Sequence, residues 1–220
     1  MTKKGAATDS HDQFVKQIEE IKKENDHLRS LLLTDELTGL ANKRFFFIQL
    51  EVETARSRRT GQPCTLIMMN IDNFTSINET FGRDAGDRLL INLGGIIWEN
   101  IRPADFACRL EADEFSILMP TSHLLEGVVT AKSIQLAMAQ PVSLLHPDIS
   151  KRLTASFGLA VYEPSFKMTV DDFFKQAEME LFEAKKAGKN HISCGSVKKM
   201  EQNAVSEEEK TALFRLATNF

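Results

Sequence analysis

At 220 residues, with 42% hydrophobic and 26% charged side chains, the chain suits one ordinary domain plus appendages and is too apolar for wholesale disorder. A net charge of -4 excludes the concentrated basic footprint that nucleic-acid binding needs, while leaving room for a local basic patch that holds an anionic ligand. Three cysteines (Cys64, Cys108, Cys194) are odd in number and lack metal-type spacing, which points to free thiols in a reducing compartment. Met1 to Gln13 lacks the apolar core of a signal peptide, and no apolar run reaches the roughly 18 residues needed to cross a bilayer. The expectation is a soluble, cytoplasmic protein with no membrane insertion.

Residues 1–10 read as a frayed polar tail. Over 11–33, Phe14, Ile18, Ile21, Asn25, Leu28 and Leu32 recur at alternating spacings of four and three, the a/d seam of a coiled-coil helix. Asn25 falls among the a-type positions, where a buried amide favours a parallel dimer, so a homodimer through this helix is expected. Thr34-Asp35 opens a second helical segment through Ser57, rich in phenylalanine (Phe45, Phe46, Phe47) that reads as core, and Gly61 to Pro63 breaks the chain.

Thr65 to Ile71 is a strand-length apolar run, and Asn73 to Asn100 reads mostly as helix, with Trp98 at a core or dimer contact. Phe106 to Leu110 and Phe115 to Met119 are strands separated by four polar or small residues, a β-hairpin pattern. A helix over Leu124–Ala139, a strand over Leu153–Val161, a helix over Val170–Ala187 stopped by Gly188, and a last strand at His191–Cys194 complete the order. Hairpins mixed with helical crossovers predict an α/β (α+β) fold, a mixed central sheet flanked by helices. Residues 195–220 divide into a linker and a short helix opened by a capping box at Ser206–Glu209. The five histidines (His11, His27, His123, His146, His191) are scattered without metal spacing.

Four separated segments resemble one family. Asp35-Glu36-Leu37-Thr38-Gly39-Leu40-Ala41-Asn42-Lys43-Arg44 resembles the D-x-L-T-G-L-x-N-R-R motif of bacterial diguanylate cyclases, the GGDEF family. Asn70-Ile71-Asp72-Asn73-Phe74-Thr75-Ser76-Ile77-Asn78, continuing to Gly86-Asp87, resembles its D-I-D-x-F-K-x-I-N-D…G-D segment. Glu111-Ala112-Asp113-Glu114-Phe115 stands in the place of the G-G-D-E-F signature, and Ala177 to Asn190 resembles the closing A-D-x-A-L-Y-x-A-K-x-x-G-R-N. The resemblance covers 34–194, in order and at matching spacing.

The resemblance implies two GTP molecules, one per protomer, joined into cyclic di-GMP by attack of a ribose hydroxyl on an α-phosphate, a reaction that depends on positioning and charge neutralisation. Against that pattern several positions depart. Asn70 replaces the first metal-ligand carboxylate; Asp72 remains, as ligand or as a turn-holding residue; Thr75 replaces a phosphate lysine. Glu111 and Ala112 replace the two glycines, so a strained turn and a carboxylate repelling triphosphate are expected there. Asp113, at a metal-ligand position, and Glu114 are retained as a remnant. Asn78 and Asp87 match the guanine-contacting pair, with helix capping and turn structure as the alternative role. Lys185 matches a phosphate lysine, and Lys189 replaces an arginine with loss of the bidentate fork.

Arg102-Pro103-Ala104-Asp105 stands with five residues between it and Glu111, the offset of the family's R-x-x-D site for cyclic di-GMP, with Arg56 where some members supply a further arginine. Arginine forks onto phosphate or the guanine O6/N7 edge, and aspartate accepts from guanine N1 and N2. The expectation is therefore a family member without significant activity, working as a cyclic di-GMP receptor with an unidentified protein partner. It requires no cofactor, Mg²⁺ entering only with residual GTP binding. The alternatives are a slow diguanylate cyclase and a GTP-binding or scaffold regulator.

Overall fold

A computed structural model describes residues 16–18, 33–139, 153–165 and 168–195. The expected coiled coil at 11–33 and the tail at 195–220 lie almost wholly outside the described residues; 16–18 are helical. The elements run β1 (Ala41–Asn42), α1 (Lys43–Thr60), β2 (Cys64–Ile71), α2 (Phe74–Phe81), α3 (Arg83–Asn100), β3 (Phe106–Glu111), β4 (Glu114–Met119), α4 (Leu124–Met138), β5 (Ala155–Tyr162), α5 (Val170–Lys186) and β6 (Ile192–Cys194).

The six strands form one mixed sheet in the order β1-β3-β4-β2-β5-β6. β2 sits at its centre, antiparallel to both β4 and β5, while β1 with β3 and β5 with β6 are parallel pairs. Every residue of β2 and of β5 is buried, because helices cover both faces of the sheet. Ile67, Met69, Phe115, Ile117, Phe157 and Leu159 point into a core closed by α2, α3 and α4. Leu66, Met68, Cys108, Leu118, Ala160 and Tyr162 point into a second core closed by α1 and α5. The alternation along each strand supplies the two cores at once. Gly158 is required by this packing: a Cβ there would come within 2.0 Å of Leu181 N and 2.4 Å of Ala177 O, so α5 lies backbone to backbone on β5.

Three expectations about elements change. No helix starts at Thr34-Asp35: Asp35 accepts from Thr38 N and Oγ1, closing a turn, and helix α1 starts only after Asn42 caps Phe45 N. The long helix over 73–100 is two helices, broken at Gly82, whose φ of 83° no helix accommodates. The hairpin loop is Ala112-Asp113 alone, since Glu111 and Glu114 both pair within the sheet. Of the phenylalanine cluster only Phe46 is buried, and Trp98, at 69% exposure, is not core. Burial pushes the thiols of Cys64 and Cys108 up to about 12, so both are protonated packing groups.

Candidate functional site

The predicted residues gather at two places, one at each end of β3. At its far end Glu111 meets Glu114 across the hairpin, after a bulge between Arg109 and Glu111. Neither Glu111 nor Ala112 takes a positive φ; among the described residues the non-glycine ones that do are Asn73, Thr121, Lys189 and Asn190. The expected strain at Ala112 is therefore absent, because the bulge, rather than glycine, turns the chain. Nor is Glu111 an uncompensated charge. Its carboxylate accepts from Lys43 Nζ at the start of α1, and the ammonium holds it below the usual carboxylate range.

The tip is also held through its backbone. Arg109 donates from Nε and Nη2 to the Ala112 carbonyl, at 3.0 and 2.7 Å, and from Nη1 to Asp35. Burial pulls the Asp35 carboxyl upward, but the two bonds from Thr38 and the Arg109 guanidinium outweigh it and leave it lowered. Sequence reasoning did not identify Arg109 or Lys43 as part of the site. Their signal, a cation two residues before the hairpin and one at a helix start, is too common to single out.

The sheet register places Glu114 directly opposite Asn70. Asn70 Nδ2 donates to the Asp113 carbonyl at 3.4 Å, leaving Oδ1 as the end of the amide suited to a cation. Asp72 is otherwise engaged: its carboxylate accepts from Thr154 Oγ1 at 2.8 Å, Ser156 Oγ at 2.7 Å and Asn190 N at 2.9 Å. These bonds tie the end of β2 to the start of β5 and to the turn after α5. Among the described residues no cluster of three or more His, Cys, Asp or Glu forms a metal cage. Mg²⁺ commonly takes one or two carboxylates plus phosphate oxygens, and the oxygen donors at this end of β3 are Asp113, Glu114 and Asn70 Oδ1.

Asn78 and Asp87 lie on the neighbouring helices α2 and α3. Neither caps a helix. Asn78 Oδ1 is buried without a hydrogen-bond partner, in space open only because residue 86 is glycine; a Cβ there would sit 1.9 Å from it. Asp87 is exposed one residue further along α3, and Thr75 is exposed on α2. Lys185 ends α5, and Lys189 follows in the left-handed turn that Asp72 secures, its Nζ 2.7 Å from Asn73 Oδ1. Asn73 is itself left-handed, so three unusual backbone conformations adjoin one carboxylate.

At the near end of β3, Arg102 and Asp105 are brought together, as partners of each other. Asp105 N donates to Arg102 O, Arg102 N donates to Asp105 Oδ2, and the guanidinium bonds both carboxylate oxygens, at 2.8 Å from Nη2. The Asp105 side chain is 0% exposed and that of Arg102 46%. Asp105 thus orients the arginine, whose outer edge faces solvent, and keeps it charged. Arg102 Nη2 also donates to the Pro120 carbonyl. The next residue, Thr121, lines a shallow depression with Arg56, Glu53 and Gln62, so Arg56 and Arg102 flank the same β4–α4 connection. Arg56 pairs with Glu53 at 3.5 Å.

The family model described as diguanylate cyclase, GGDEF domain, matches residues 32–191. The chain is 31% identical over 168 residues to the response regulator PleD of Caulobacter vibrioides, covering 76% of this chain and 37% of that protein. It is 33% identical over 165 residues to the diguanylate cyclase DgcP of Pseudomonas aeruginosa, covering 74% of this chain and 24% of DgcP. The chain thus spans well under half the length of these relatives. The crystal structure of the coiled coil and GGDEF domain of DgcB from Caulobacter crescentus, in complex with c-di-GMP, matches with a TM-score of 0.78 at 21% identity, over 86% of this chain and 100% of that one, a likeness of fold. The expectation of a member without enzymatic activity is overturned: the matching family is one of cyclases, and DgcP is named as one. Physically, the two hairpin substitutions read as lesions are neither strained nor unbalanced in charge. No helix among the described residues is long and apolar enough to cross a membrane.

Proposed function

The chain belongs to the GGDEF domain family of diguanylate cyclases, and from that premise we propose that it works in cyclic di-GMP signalling, making the dinucleotide from GTP at the hairpin and binding it at Arg102. The observation that carries the binding half is the half-exposed Arg102 guanidinium, locked in place by a fully buried Asp105 and the Pro120 carbonyl. A fixed, charged guanidinium loses little freedom when its Nη1 hydrogens, the ones not engaged by Asp105 and Pro120, meet a phosphate or guanine acceptor. Arg56, across the same connection, adds a second cation for the other half of the ligand. Asp105 serves as the residue that orients Arg102, and contacts guanine only if it exchanges part of its bond to the arginine.

For the cyclase half, the orphaned acceptor of Asn78 supports guanine binding: a buried polar atom without a partner is costly unless a ligand satisfies it. Asp87 would accept from the donor edge of the base. Lys185 and Lys189 would take the triphosphate, with Lys189 presented by the turn that Asp72 holds. Magnesium, bound with the nucleotide by Asp113, Glu114 and Asn70 Oδ1, would supply charge neutralisation at the transferring phosphoryl group. The protein residues then orient the α-phosphate toward the 3′-hydroxyl of a GTP on a second protomer, whose assembly through the helix at 11–33 is part of the same proposal. An unidentified protein partner and a cytoplasmic setting belong to it as well.

The test is a calorimetric titration with cyclic di-GMP on the wild type and Arg102→Lys, beside an assay for product by mass with GTP and Mg²⁺. Saturable binding, weakened in Arg102→Lys because the planar guanidinium that Asp105 orients is lost, supports the receptor half. Binding indifferent to that change sinks it, and absence of product sinks the cyclase half.

A further inference from the structure

The signature hairpin carries an arrangement that two glycines could not: a pair of like charges facing each other. Glu111 and Glu114 are direct partners across β3 and β4, an arrangement that destabilises a sheet when nothing offsets it. The offset comes from a distant element. Lys43, the first residue of α1, binds the Glu111 carboxylate and also feels the charges of Glu114 and of Glu178 on α5. The first turn of α1 contains no acidic residue of its own, so the carboxylate that pairs with Lys43 comes from the hairpin. Both side chains are more than half exposed, 53% for Lys43 and 63% for Glu111, so the pair contributes little to global stability. Its consequence is local, at the place where a triphosphate arrives.

We infer that Lys43 is a positioning residue for the nucleotide site: it draws the Glu111 carboxylate onto the start of α1 and so keeps that charge away from Glu114 and from the incoming phosphates. This deepens the cyclase reading and rests on it for its kinetic part. The backbone of the tip is held independently by Arg109, so the work left to Lys43 is the placement of charge.

The experiment is a double-mutant cycle of Lys43→Ala and Glu111→Gly, with Lys43→Arg as the conservative variant, in the full chain. Two readouts are taken: KM and kcat for GTP with Mg²⁺, and amide hydrogen exchange of 111–114 without nucleotide. Lys43→Ala raises KM by up to about fivefold, the scale of an exposed ion pair, with a smaller change in kcat. It also speeds exchange at the tip. Both effects vanish in the Glu111→Gly background, and Lys43→Arg stays near the wild type. Equal effects of Lys43→Ala in both backgrounds, or none in either, overturn the inference. If the wild type makes no product, the cyclase reading fails on its own, and the exchange cycle alone decides whether Lys43 places Glu111.

Discussion

The two ends of strand β3 each seat an arginine beside a carboxylate where the chain reverses, and they do so in opposite ways. At Arg102–Asp105 the partners are three residues apart, the carboxylate is sealed from solvent, and one turn contains every bond but the one to Pro120. At the hairpin the partners come from afar: Asp35 reaches Arg109 and Lys43 reaches Glu111, bringing the segment before the sheet and the start of α1 to the tip. A sealed local pair makes a stiff presenting arm. A long-range one makes a site whose charge depends on several elements at once.

The largest expected effect breaks the sealed end. Arg102→Ala strands the buried Asp105 carboxylate and lowers unfolding stability by about 3 kcal/mol, measurable by urea denaturation. Binding lost in that variant is therefore ambiguous, which is why Arg102→Lys is the sharper probe of the ligand site. At the other end, Arg109→Ala unties the Ala112 carbonyl and Asp35 together and lowers stability by about 2 kcal/mol on the same measurement.

A smaller effect is one of pH. Asp35 is held below the usual carboxylate range, so its contribution is present above the unfolded value and is lost as pH falls through the lower folded one. Asp35→Asn removes that acid-side loss, and stability–pH curves of the two proteins converge at low pH and separate toward neutrality. Smallest of all, Lys43→Ala leaves the melting temperature unchanged within error, because the pair is exposed. A clear fall in Tm there would erase the contrast between the two ends.

How much of this was legible in the residues follows the same division. The R-x-x-D turn, the hairpin strands and the buried runs of β2 and β5 depend on neighbours in sequence, and their periods and spacing reveal them. The two-residue strand β1 carries no period to read, and it exists because Ala41 and Asn42 pair with Cys108 and Arg109. Gly82 was visible as a glycine but not as a break, since only the packing of α2 against α3 makes its φ of 83° necessary. The Lys43–Glu111 bond joins residues 68 positions apart, and the pairing of Asn70 with Glu114 is a matter of register; neither is encoded locally. The sequence reading of Glu111 missed its partner Lys43 for that reason, whereas the expectation of inactivity is overturned by the family match.

The bare glycine at position 158 has a consequence for the lysines at the far end of α5. With the helix backbone resting on the strand backbone, no side chain is left between them to compress, tilt or repack. The height of Lys185 above the sheet is thereby a constant of the architecture.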